Sequence, residues 1–247
     1  MRTIDINSDL GEFADELHLE SDRQVLNYVT SANIACGFHA SDPLTMTKSV
    51  RMAKEAGVAI GAHPGFLDRE NFGRLPMDMS PEEVKAIVLY QVGALQAICQ
   101  AEGVKLHHVK PHGALYNMAA KDEALALAIA EAVAKADEDL ILFGLSGSLM
   151  EVAAKTKGVP FASEVFADRA YEDDGTLVSR SKPGAMIEDE SLAISRMVRL
   201  MNEGVVESIN GREIPLAADT ICVHGDSPKA LAFAKALREA MESLGAI

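Results

Sequence analysis

Short runs of β-branched and apolar residues alternate with longer stretches of helical period from one end of the chain to the other. Residues 3–7, 31–35, 58–61, 105–110, 140–143, 159–162 and 220–223 read as strands. The stretches between them carry helix start signals. Ser80-Pro81-Glu82-Glu83 places an N-cap, a proline at the first helical position and a Glu three residues on, a capping box. Val84, Ile87, Val88, Gln91, Leu95 and Ile98 then recur at helical spacing. Asp42-Pro43 and Ser227-Pro228 open two further helices in the same way, and Gly57 and Gly245 mark helix ends. Strict β/α alternation implies a parallel sheet with right-handed crossovers. Seven such units without a break in composition predict one barrel-like α/β domain over residues 1–247, an open doubly wound sheet being the other arrangement. Asn210-Gly211, between 205–209 and 212–216, predicts a small hairpin attached to that body.

Composition narrows the class. A chain of 247 residues with 48% hydrophobic and 24% charged residues is of ordinary globular make-up. At this length about 70% of the surface can be buried, so no disulfide or structural metal is needed to hold a core. Lys plus Arg is 23 against 37 Asp plus Glu, a net charge of −14. With no basic run to offset that field, nucleic acid is not an expected partner. Charge interrupts the N-terminal segment at once, and no window reads as a membrane span. Cys36, Cys99 and Cys222 are odd in number and widely spaced, the pattern of reduced buried thiols. A cytoplasmic location is expected.

The chemistry concentrates where strands end, which in parallel α/β folds is the functional face. The first strand leaves through Asp5, Asn7, Asp9 and Glu12. Later ones leave through His39, His63, Lys110 with His112, Glu164 with Asp168 and Arg169, and His224 with Asp226. Alternating Asp5, Asn7 and Asp9 also fit a solvated strand end, and a lone His is more often structural than catalytic. Four histidines after four separate strands, each within two residues of Gly or Pro, point instead to one shared pocket. These residues are the candidate catalytic set. Asp9, His39 and His63 make a plausible divalent-metal set for zinc or iron, a hydrogen-bonded carboxylate–imidazole network being the other reading. Lys110, Arg169 and Arg180 are candidate anion holders, and a surface ion pair is the alternative for each. No G-x-x-x-x-G-K-[ST] loop is present to bind a nucleotide phosphate.

The strings IDINSDLGE, ANIACGFHASDP, GAHPGFLDRENFGR, VKPHGALYN, EVFADRAYEDDGTLVSR, KPGAMI and ADTICVHGD, in this order from residue 4 to residue 226, resemble the LamB/YcsF family. Ser41 stands where the family usually has Gly, Leu75 where a second Arg is usual, and Ser179 where Pro is usual. The resemblance implies a seven-stranded, TIM-like (β/α) barrel related to the glycoside hydrolase/deacetylase fold. It implies ATP-dependent hydrolysis of a lactam, 5-oxo-L-proline, to L-glutamate. ATP with Mg²⁺ would act through a 5-oxoprolinase complex with subunits B and C, and a homo-oligomer is also compatible. Asn33, in the second string, joins Arg169 and Arg180 as a candidate substrate-binding residue. Two other readings stand beside this one: a stand-alone metal-dependent amidohydrolase or deacetylase, and a non-catalytic chain that binds a small acid for a partner enzyme.

Overall fold

The computed structural model describes residues 3–224 and 230–247. Seven parallel strands close into a barrel in the order β1 (Asp5–Leu10), β2 (Ser31–Ala35), β3 (Ala59–His63), β4 (His108–Val109), β5 (Ile141–Leu145), β6 (Phe161–Phe166) and β9 (Thr220–His224), with β9 pairing back onto β1. The open-sheet alternative is therefore excluded. Between β6 and β9 the chain inserts a long excursion, a helix, and the antiparallel pair β7 (Val205–Glu207) and β8 (Glu213–Pro215). Ser208 N–H donates to the Arg212 carbonyl at 2.8 Å, so the connection is longer than the two-residue turn that Asn210-Gly211 predicts.

Five strands extend further than the sequence pattern indicates, β1 and β6 by the most. β1 runs to Leu10 and β6 to Phe166, so Asp9 and Glu164 lie within strands rather than in the loops after them. Polar side chains that would end an ordinary strand are accommodated because the barrel interior is itself polar. β4 is shorter than expected, keeping only two strand residues before Pro111.

The helices pack outside this barrel: α1 (Glu16–Val25), α2 (Pro43–Ala56), α3 (Pro81–Ala101), α4 (Gly113–Ala119), α5 (Glu123–Ala136), α6 (Leu149–Lys157), α7 (Glu190–Glu203) and α8 (Ala230–Ser243). The capping box on α3 is formed, with Ser80 N–H donating to Glu83 and Glu83 N–H donating to Ser80 Oγ. Asp42 caps α2 through the amides of Leu44 and Thr45, with Pro43 in the first turn. By length and composition α3 is apolar enough to cross a membrane, contrary to the expectation that no segment would be. It packs chiefly on α5 and buries Val84, Val88, Gln91 and Leu95 of the predicted stripe, together with Val92 and Cys99, while Ile87 and Ile98 are half-buried at its edge. Each of its larger buried aliphatics stabilises the fold by roughly 1.5–3 kcal/mol.

The loop after β1 is tied down by α1. Asp22 accepts a hydrogen bond from Gly11 N–H at 2.8 Å, and burial pushes its carboxyl up to about 6. A carboxyl that holds its proton more tightly in the folded state contributes stability below its unfolded pKa and loses that contribution as pH rises through the folded value. Asp22→Asn keeps an oxygen for Gly11 and removes the ionisation. Its stability relative to the parent is expected to rise by up to about 3 kcal/mol between pH 4 and pH 7, read from urea unfolding of both proteins. A difference that stays flat with pH would show that Asp22 ionises freely in the folded chain.

Candidate active site

The barrel interior is filled by a continuous polar network instead of layers of branched aliphatics. It begins at the amino-terminal end of the strands. Asp5 accepts hydrogen bonds from Thr30, Ser31 and Thr220 there, which removes it from the mouth and corrects its place among the candidate catalytic residues. Its alternation with Asn7 and Asp9 put it on the right face, but two layers too deep. One layer up, Asn7 Nδ2 donates to Thr220 Oγ1 at 2.6 Å and to Glu164 Oε1 at 3.0 Å. Asn33 Nδ2 donates to Asn7 Oδ1 at 2.7 Å and to Asp9 Oδ1 at 2.8 Å. Asn33 is fully buried and supports Asp9 from beneath.

Lys110 stands at the centre of the next layer. Its Nζ donates to Asp9 Oδ1 at 2.9 Å and Asn7 Oδ1 at 3.1 Å, lies 2.9 Å from Glu164 Oε1, and touches Cys222 Sγ at 3.0 Å. Burial works against its charge, but Asp9 and Glu164 override it and hold the ammonium well above the usual lysine range. Burial pushes the Cys222 thiol up, so it stays protonated. Cys36 is likewise pushed up to about 12 by burial and is no nucleophile.

Beside Asp9 three buried imidazoles converge on Glu12. His39 leaves β2, His63 ends β3, and His112 precedes α4. The ring of His39 stacks on that of His112 at 3.7 Å, and a Cβ on residue 65 would lie 2.6 Å from His39 Nδ1, so only glycine fits there. Gln91 of α3 fixes that glycine by accepting from its N–H at 3.0 Å and donating to its carbonyl at 2.9 Å. Burial first, and neighbouring imidazoles second, hold His39 well below the usual range and bring His112 down to about 3. Both are neutral.

Ligand atoms of Glu12, His39, His63 and His112 all lie within 4.8 Å of one another. His63 Nδ1 donates to the Lys110 carbonyl at 2.6 Å, and His112 Nε2 donates to the Phe72 carbonyl at 2.8 Å. The other nitrogens, His63 Nε2 and His112 Nδ1, face each other at 3.0 Å, a contact that a proton or a cation shared between them satisfies. His39 makes no hydrogen bond through either nitrogen, although its Nε2 is 3.4 Å from Glu12 Oε1. Tetrahedral zinc with bonds of about 2.0–2.1 Å spaces its ligands about 3.4 Å apart. Imidazoles oriented by backbone carbonyls are also the usual support of metal ligands. The residues thus fit a divalent metal, with Glu12 and His112 joining His39 and His63. Asp9, held by Lys110 and Asn33 through Oδ1, has its Oδ2 3.4 Å from His63 Nε2.

This floor opens into a cavity of about 850 Å³. Asp9, Glu12, His63, Lys110 and His112 line its base, and Arg74, Lys121, Arg169, Arg180 and Lys182 line its wall and rim. Arg169 is 4% exposed and donates to the Val178 carbonyl at 2.6 Å. Burial, then the neighbouring Arg180, brings its guanidinium down to about 10. Asp168 lies next to Arg169 on the excursion after β6. Glu164 reaches the site from beneath, through Lys110, without lining the cavity. His224 lies level with Asp9 in the β1–β9 register; its side chain, Asp226 and the Ser227-Pro228 helix start lie outside the described residues. Sequence reasoning did not single out Tyr116, on the cavity wall, and left the role of His108, inside the barrel, open. Tyr116 follows the His112 motif by one helical turn, a spacing that could have found it. Ser41, where the family usually has glycine, adopts φ 74°, the conformation that favours glycine.

The model of the LamB/YcsF family matches residues 4–246. A relative from Clostridium beijerinckii, called the A subunit of 5-oxoprolinase, is 54% identical over 98% of this chain and 95% of its own. One of the same name from Thermococcus onnurineus is 53% identical over 98% and 95%. Among solved structures, a lactam utilization protein from Thermus thermophilus superposes with a TM-score of 0.91, at 47% identity and coverage of 98% and 97%. These matches agree with the strings that carry the resemblance, and the chain belongs to the LamB/YcsF family.

Proposed function

We propose that this chain is the ring-opening component of an ATP-dependent 5-oxoprolinase, converting 5-oxo-L-proline to L-glutamate with partner subunits B and C. The observation that carries the reading is the buried carboxylate–lysine–imidazole floor beneath a cation-rimmed cavity, in a chain more than half identical to proteins called the A subunit of 5-oxoprolinase. A five-membered lactam is a stable amide. Transfer of the γ-phosphoryl group of ATP to its oxygen activates the ring carbon; water then adds, the ring C–N bond breaks to leave an acyl phosphate, and a second water releases phosphate. The balance is 5-oxoproline, ATP and two waters to glutamate, ADP and phosphate. Because this chain has no recognisable phosphate loop, the nucleotide with its Mg²⁺ is assigned to the partners.

Arg169 and Arg180 hold the substrate carboxylate, local cations in a chain of net charge −14. Asp9 takes the proton of the attacking water through Oδ2, and Lys110 keeps that carboxylate ionised and aimed. Protonation of the departing nitrogen falls to Asp9, which by then carries the proton taken from that water. A divalent cation held by Glu12, His39, His63 and His112 would supply Lewis-acid polarisation beside it. Three free thiols and ATP chemistry suit a reducing cytoplasm.

The convergent Glu12–histidine group favours one second reading, a metal-dependent amidohydrolase that acts alone. One assay separates the two. Glutamate release from 5-oxoproline is expected only when the chain is combined with subunits B and C, ATP and Mg²⁺. ATP-independent release by the purified chain with a divalent metal would establish the second reading instead.

A further inference from the structure

One buried imidazole in the barrel has no part in the chemistry above. We infer that His108 is a positioning residue: its Nε2–H fixes the amide of Asn33 and, through it, the carboxylate of Asp9. The kinetic consequence rests on the ring-opening reading; the geometry stands without it.

Hydrogen-bond directions are forced from both ends of the network. Lysine can only donate and an ionised carboxylate can only accept. Asn7 Oδ1 accepts from Lys110 Nζ, so Asn7 Nδ2 must face Glu164 and Thr220. Asn33 must then present Nδ2 to Asn7 Oδ1 and Asp9 Oδ1. Its remaining oxygen meets His108 Nε2 at 2.7 Å, which requires the proton on that nitrogen. Burial keeps the ring neutral, so Nδ1 is an acceptor, and His107 Nδ1 lies 3.1 Å from it to donate. The other tautomer would aim a lone pair at the Asn33 oxygen. Turning Asn33 over to relieve this would set its oxygen against two oxygens within 2.8 Å.

The ring has nowhere else to go. It stacks on Phe143 with centroids 4.0 Å apart, and a Cβ on residue 61 would come within 2.1 Å of Nε2. Glycine on β3 leaves the hole that His108 fills.

A residue that merely fills space would tolerate any replacement of similar bulk and polarity equally. A positioning residue would not. Gln places an amide N–H where Nε2 stands, whereas Asn ends near Nδ1 and falls short. In the complex with B and C, His108→Asn is expected to lower kcat at least about tenfold with KM within about threefold, and His108→Gln to recover most of the loss. Equal kcat for the two variants overturns the proposal. In the ¹⁵N-histidine spectrum of the purified wild-type chain, the resonances lost in His108→Gln are expected to report the Nε2–H tautomer, and an Nδ1–H tautomer overturns the proposal. If the wild-type complex does not open 5-oxoproline, the functional reading falls, and the tautomer alone decides the role of His108.

Discussion

Asp9→Asn is expected to lower kcat for ring opening at least about a hundredfold, the scale on which general acid–base groups act. The substitution preserves volume, and an Asn oxygen can still accept from Lys110 and Asn33. What it removes is the charge and the proton acceptor at Oδ2, which faces His63. Glu164 continues to pair with Lys110, so no buried cation is stranded. The measurement is glutamate release by the reconstituted complex beside a melting curve of the chain. A large fall in melting temperature with near-normal kcat would make Asp9 a structural acceptor.

Lys110→Met has the opposite signature. It fills similar space but leaves the carboxylates of Asp9 and Glu164 without the cation that pairs with both. Breaking a buried pair by removing one partner costs about 3–5 kcal/mol, because the remaining charge has no counterion. Urea unfolding is expected to show a loss of that size, and Lys110→Met combined with Glu164→Gln to recover at least about 1 kcal/mol of it. If the double variant is no more stable than the single one, the loss comes from packing and not from uncompensated charge.

The barrel was legible from β/α alternation, and the functional face from polar residues at successive strand ends. His39, His63 and His112 stood out because each follows its own strand within two residues of glycine or proline. Depth inside the barrel was not legible. Asp5, Asn7 and Asp9 share one face of β1, but the slant of the strands decides which of them reaches the mouth. The same slant brings Glu12, from the loop, closer to the imidazoles than Asp9. His108 received no role from the sequence because its partner is Asn33, on a strand that is not its neighbour. Arg169 and Arg180 carried a charge signal, but their place on the cavity wall depends on the fold of the excursion after β6, which has no periodic pattern to read.

The polar filling of this barrel also bears on how such chains diverge. Where an apolar plug supports a separate site, drift can explore new reactions while folding is untouched. Here Asn7, Asn33, Lys110 and Glu164 are core and machinery together, so most changes in the reaction are removed by selection as folding defects first. Variation is left to exposed positions at the rim, such as Leu75, Arg180 and Lys182. Lineages sharing this interior are expected to differ in what they admit, and in which companion they dock with, long before they differ in the bond they break.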